Sequence, residues 1–259
     1  MAESRSVWAS NAYYLNDSSE ILEALELTSA VAIRKQAECD DPTRELLVQL
    51  VSWLKLLGSP QGLYVFSATE QKNDLSQWRA YSPYGKGVAI VFSPERIRRI
   101  ADRNECKIVR CLYRRDEKER MAEKIVEKTI ETWRSGYGQN FPGPQPPQGH
   151  HPAFESLKSH YLAIFSIFKN TNFKDEKEWR VISPLIEGHD PRVDYREGAS
   201  LLIPYFKIDL SDSEYLFDQA WIGPTAHQNL SMDVLHRFVS AKKVSQECLN
   251  SQQPYREFK

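Results

Sequence analysis

The chain has 259 residues, and its 34 basic and 35 acidic side chains leave a formal net charge of −1. No global field therefore recruits nucleic acid or an anionic membrane, and either partner would need a local patch. Apolar residues at 41% and charged residues at 27% argue against a disordered chain, and this length can bury a sizeable core.

The longest apolar runs are strand-sized, far short of a membrane span, and the N-terminus lacks the apolar core of a signal peptide. The four cysteines, Cys39, Cys106, Cys111 and Cys248, include no C-x-x-C pair or other metal-ligand spacing. They read as free thiols of a cytoplasmic protein, with no metal site expected.

Val7-Trp8-Ala9 is strand-like, and Asn16 to Glu20 has the form of a helix N-terminus. Helical spacing then runs through Ile21, Leu25 and Val31. It resumes after Asp40-Asp41-Pro42 with Leu46, Leu47, Leu50, Leu54 and Leu57, so a helical insertion is predicted over about residues 20–57. Leu63 to Phe66 reads as a buried strand that continues into Ser67-Ala68-Thr69, whose two hydroxyls share one face. A polar loop carrying Gln77-Trp78-Arg79-Ala80-Tyr81 follows. Gly85-Lys86-Gly87 turns the chain into a second strand, Val88 to Phe92, and the whole reads as a hairpin-like unit.

Ser93-Pro94-Glu95 starts a further helix, Lys107 to Tyr113 alternates as a strand, and Asp116 to Trp133 is helical with a solvated charged face. The proline-rich segment over about 141–152 is a surface loop, and His150-His151 reads as part of that surface. Phe154 to Phe168 is a largely buried helix. In Glu178 to Ile182, Trp179 and Val181 point one way while Glu178, Arg180 and Ile182 point the other. Leu201 to Phe206 is a strand whose Pro204 suggests a sheet edge or bulge. A strand ending at Ile222-Gly223-Pro224, an amphipathic helix from Asn229 to Ser240 and a last strand near Val244-Ser245 close the chain. The fold class is α+β, a single mixed domain over 1–259 with central antiparallel or split β-sheets and flanking helices.

Several of these stretches, taken in order, resemble a bacterial domain-of-unknown-function family, the one numbered 2971. They are Tyr14 to Glu20, Val65 to Thr69, Ser76 to Tyr81 with Gly85-Lys86-Gly87, Glu176 to Arg180, Ile203-Pro204-Tyr205, Ile222-Gly223-Pro224 and Pro254-Tyr255-Arg256. A more distant resemblance, a small-hydroxyl strand followed much later by Glu-x-Glu, is to ADP-ribosyltransferases. It implies an enzyme that consumes NAD as substrate in a cleft between two small sheets. Glu178 would be catalytic with Glu176 beside it, and Ser67 and Thr69 would supply the hydroxyl element. Trp78 or Tyr81 would stack on a flat ring and Arg79 would pair with the diphosphate. A fixed carboxylate favours the positive character that builds on the ribose as nicotinamide departs.

The implied role is a toxin or antiviral-defence effector modifying a nucleic acid or protein, acting with a partner protein or as a homo-oligomer and without a membrane. Family members commonly begin with a His-Tyr-Thr-like strand, whereas no His precedes His150 here. Two alternatives follow. One is a non-catalytic interaction module of a defence or regulatory assembly. The other is a nuclease-type effector using Asp74, Glu176 and Glu178.

Overall fold

The computed structural model describes residues 1–15, 19–82, 87–136, 151–186, 189–211 and 214–253. Its helical layer begins with α1 (Ser19–Gln36) and α2 (Asp41–Leu54). Asp40 caps α2 by accepting the Thr43 N–H, and Pro42 occupies its first turn, where a missing N–H costs nothing. Leu46, Leu47, Leu50, Trp53 and Leu54 then form a buried stripe at helical spacing. Two later helices, α5 (Arg115–Gly136) and α6 (Pro152–Phe165), join this layer. Their Val126, Phe154, Tyr161 and Phe165 complete a core with Trp53.

Six strands form the main sheet in the order β4-β5-β2-β1-β7-β6. They are β1 (Ser6–Asn11), β2 (Tyr64–Thr69), β4 (Lys107–Arg110), β5 (Glu178–Ile182), β6 (Val193–Glu197) and β7 (Leu202–Asp209), and every neighbour pair is antiparallel. A second sheet holds β3 (Val88–Val91), β8 (Phe217–Ile222) and β9 (Ser245–Asn250). There β8 and β9 are parallel, with α7 (Gln228–Lys242) in the connection between them.

Strand alternation assigns the layers. Val65 and Ile182 point into the helical core, while Tyr64, Val181, Val7, Ala9, Phe206 and Ile208 point the opposite way. The second group packs with Phe217, Ala220 and Ile222 of the smaller sheet and Leu235 and Val239 of α7. The order is helices, large sheet, small sheet. The helical core takes Val65, Val109 and Ile182 from β2, β4 and β5 but nothing from β1, β6 or β7. Helices therefore cover only part of their face of the sheet.

The α+β class and the alternation in β5 agree with expectation, and α1 and α2 fall within the helical insertion. The hairpin-like unit does not form. Residues Leu75–Tyr81 are a helix, α3, capped by Asp74, which accepts the Ser76 and Gln77 N–H groups. Moreover, β2 and β3 lie in different sheets. Asp74 is a good N-cap, and capping converts a polar loop into a helical turn. His151 is buried rather than on the surface: its Nδ1 accepts the Ala153 N–H at the start of α6. The expected loop over 141–150 and the turn at Gly85-Lys86 lie outside the described residues. Pro204 sits where β7 pairs with β6 alone, because the β1 pairing begins at Tyr205, so a proline is tolerated inside this sheet. The expected strand at Val244-Ser245 is the start of β9, whereas β6 carries no apolar run to mark it in the sequence.

Candidate functional site

The β2–β5 register brings the two motif-like stretches together. Ser67 lies opposite Arg180 and Thr69 opposite Glu178, so all four side chains share the helical face. Just before β5, a 3-10 turn over Thr171–Glu176 ends at Lys177, whose φ of 44° is left-handed. That reversal places Glu176 and Glu178 on either side of one bend.

Glu178 is 5% exposed, and both of its oxygens are engaged. Oε1 accepts from Ser67 Oγ at 2.5 Å and from Arg180 Nε at 2.8 Å. Oε2 lies 2.7 Å from Lys169 Nζ and accepts from Arg180 Nη2 at 3.4 Å. The Glu178 N–H donates to the Tyr113 hydroxyl at 2.8 Å, which fixes the residue's backbone. Arg180 also reaches Glu20 Oε2 at 2.9 Å and donates to the Ser166 carbonyl. Lys169 reaches Glu176 at 3.0 Å and Glu20 at 3.7 Å. The cluster thus holds the carboxylates of Glu20, Glu176 and Glu178 around the cations of Arg180 and Lys169.

Its electrostatics are uneven. Burial pushes the Glu178 carboxyl upward, but the Arg180 charge and the hydrogen bonds from Arg180, Lys169 and Ser67 outweigh it and hold it below the ordinary range. Burial likewise raises Glu20, and there Arg180 and Lys169 offset it only in part. Glu20 Oε1 is buried without a hydrogen-bond partner. Burial works against the Lys169 charge, yet Glu178 and Glu176 raise its pKa and keep it protonated. Glu178 is a carboxylate held ionised beneath a surface hydroxyl.

Of the residues singled out in the sequence, Ser67, Thr69, Glu176 and Tyr81 join this place with Glu178. The Thr69 hydroxyl donates to the Glu176 carbonyl at 2.7 Å, and the Tyr81 hydroxyl donates to Glu176 Oε1 at 3.3 Å. Tyr81 itself is 64% exposed. Trp78 lies elsewhere: it is buried, donates to Asn73 Oδ1 at 2.8 Å and packs against Gly87 and Gly223. Arg79 is exposed and makes no ion pair with Glu176 or Glu178. Sequence reasoning missed Glu20 and Lys169. The signals were there: Glu20 lies in the Tyr14–Glu20 motif, and Lys169 is a lone charge closing an apolar run.

The sheets and the cluster define an α+β protein built around a buried acidic–basic site at the rim of its helical layer. Residues 77–181 match the model of a family described as protein of unknown function, DUF2971. The matched segment contains all of β5 but its last residue, including Glu178 and Arg180, and also Lys169; β2 and Glu20 precede it. No curated protein and no solved structure matches the chain. No helix among the described residues is long and apolar enough to cross a membrane.

Proposed function

We propose that the protein is an ADP-ribosyltransferase-like effector that consumes NAD, with Glu178 as its catalytic carboxylate. The observation that carries this reading is the Ser67–Glu178 hydrogen bond across neighbouring strands. It sets a buried carboxylate, held below its ordinary pKa by its cationic and hydroxyl partners, next to an exposed hydroxyl, with Thr69, Glu176 and Tyr81 alongside. In the reaction, the bond between C1′ of the ribose and the nicotinamide nitrogen breaks, and the electron pair leaves with nicotinamide. The fixed negative charge of Glu178 favours the oxocarbenium character left on the sugar. An acceptor oxygen or nitrogen then bonds to C1′ and releases its proton. Ser67 orients Glu178, and Tyr81 offers a face to the leaving ring. Arg180 and Lys169 hold Glu178 charged at neutral pH.

A second reading, a non-catalytic interaction module, is favoured by one specific observation. Both Glu178 oxygens are already satisfied by Ser67, Arg180 and Lys169, as a purely structural ion network would require. Release of nicotinamide from NAD separates the two readings. Glu178→Gln keeps the size and hydrogen-bonding capacity of the side chain but removes its charge, and loss of such a preorganised partner lowers a rate by about 10²–10³. Equal nicotinamide release by wild type and Glu178→Gln would remove Glu178 from the chemistry.

A further inference from the structure

Among the described residues, the helical layer stops at the site, and its core takes nothing from the β1, β7 and β6 part of that sheet face. Along it, the β1–β2 register pairs Ser10 with Val65; two residues further on, Trp8 and Ser67 face the same side. Trp8 lies opposite Lys207 of β7, and Ser10 lies opposite Tyr205. Tyr205 in turn lies opposite Asp194 of β6. Trp8 is 48% exposed, and its ring stacks on Tyr205 at 4.4 Å between centroids with 27° between planes.

The charges around this stack are not balanced in one direction. Asp194 is engaged by Lys207 at 2.9 Å and by the Tyr205 hydroxyl at 3.3 Å. Arg196, half-buried on β6, donates to Ser10 Oγ at 3.3 Å and has no carboxylate partner among the described residues. One indole face is therefore backed by a second ring, and the surface beside it carries an unneutralised guanidinium. Ser10, which Arg196 touches, stands two residues from Trp8, about 7 Å along the strand. A flat heteroaromatic ring linked through a ribose to a phosphate fits that spacing.

We propose that Trp8, backed by Tyr205, is the ring-stacking platform of a nucleotide site on the open half of the sheet, with Arg196 as its phosphate partner. The inference deepens the NAD-consuming reading and rests on it only for NAD as the ligand. It assigns ring binding to Trp8, which buried Trp78 cannot perform. Base–aromatic stacking and a guanidinium–phosphate contact are independent sources of affinity, so each can be removed separately.

Isothermal titration calorimetry of the full chain tests it with three probes: NAD, nicotinamide riboside and a ten-nucleotide single-stranded RNA. Trp8→Leu should weaken NAD binding about tenfold or more, whereas Trp8→Phe should retain most of it. Arg196→Gln should weaken NAD but leave nicotinamide riboside, which has no phosphate, unchanged. Circular dichroism melting confirms that the variants are folded. NAD affinity unchanged in Trp8→Leu, or no binding of any probe to wild type, overturns the inference. RNA binding that depends on Trp8, with no NAD binding, supports the platform and places its ring in nucleic acid. NAD binding that depends on Trp8, without nicotinamide release, supports the platform and sinks the catalytic reading.

Discussion

Replacing Arg180 with Met tests whether the buried cluster is held together by its guanidinium. The side chain is 3% exposed and donates to Glu178 Oε1, Glu178 Oε2, Glu20 Oε2 and the Ser166 carbonyl. Met fills similar space and restores none of these contacts. Glu20 would then face only Lys169 at 3.7 Å, leaving a buried carboxylate almost uncompensated. Removing one partner of a buried ion pair costs about 3–5 kcal/mol, a large share of a domain stability of about 5–15 kcal/mol. Urea unfolding at pH 7 should show that loss. Arg180→Lys should recover only part of it, because an ammonium cannot serve both carboxylates in one plane. Adding Glu20→Gln to Arg180→Met should regain stability by deleting the orphaned charge, a coupling that a double-mutant cycle isolates. A loss below about 1 kcal/mol in Arg180→Met, the range of an exposed pair, would refute the assignment of Arg180 as the hub.

Two further stability predictions follow from other features. Glu178 has a lowered folded-state pKa, so its contribution is present above the unfolded glutamate pKa and is lost as pH falls through the folded value. Glu20 has a raised one, so it penalises the fold above that value, and the penalty is relieved as pH falls. Urea unfolding from pH 7 to pH 3.5 should show the stability gap between wild type and Glu178→Gln shrinking. Wild type should meanwhile improve relative to Glu20→Gln; parallel pH curves for all three proteins would contradict both shifts. In the smaller sheet, a Cβ added at Gly223 would stand 2.7 Å and 2.9 Å from ring carbons of Trp78. Gly223→Ala should cost about 1–3 kcal/mol through overpacking, and an unchanged thermal midpoint would show that the ring yields freely.

The helices were legible in the sequence because their signals are local. Asp40 and Pro42 mark the start of α2, Ser93 caps α4 (Pro94–Arg103) by accepting the Arg96 N–H, and apolar spacing shows each buried face. Helix α3 hid behind its polar composition, since the Asp74 cap decides it and its seven residues are too few for periodicity. β6, read as Val-Asp-Tyr-Arg-Glu, has no apolar run because only Val193 joins a core. Within the site, the β5 alternation correctly put Glu178 and Arg180 on one face. The partners of those residues were not legible in the same way. Glu20 is 160 residues from Arg180, and Ser67 is 111 from Glu178, separations that only the strand order β5-β2-β1 and the docking of α1 convert into contact.

The position of Glu178 at the rim reconciles its two aspects. A carboxylate wholly inside the helical core would be inaccessible, and one on the open face would be solvated, with its charge screened. Here Arg180, Glu20 and Lys169 approach from the covered side, while Ser67 and Thr69 open onto the uncovered side. On the proposed reading, the buried network supports one ionised charge, and the exposed hydroxyl strand is where a ligand would reach it. Trp8 continues that same exposed row on the next strand. On this geometry, the rigidity of the cluster and the usefulness of the site have one source: the edge of the helical layer runs between β5 and β1.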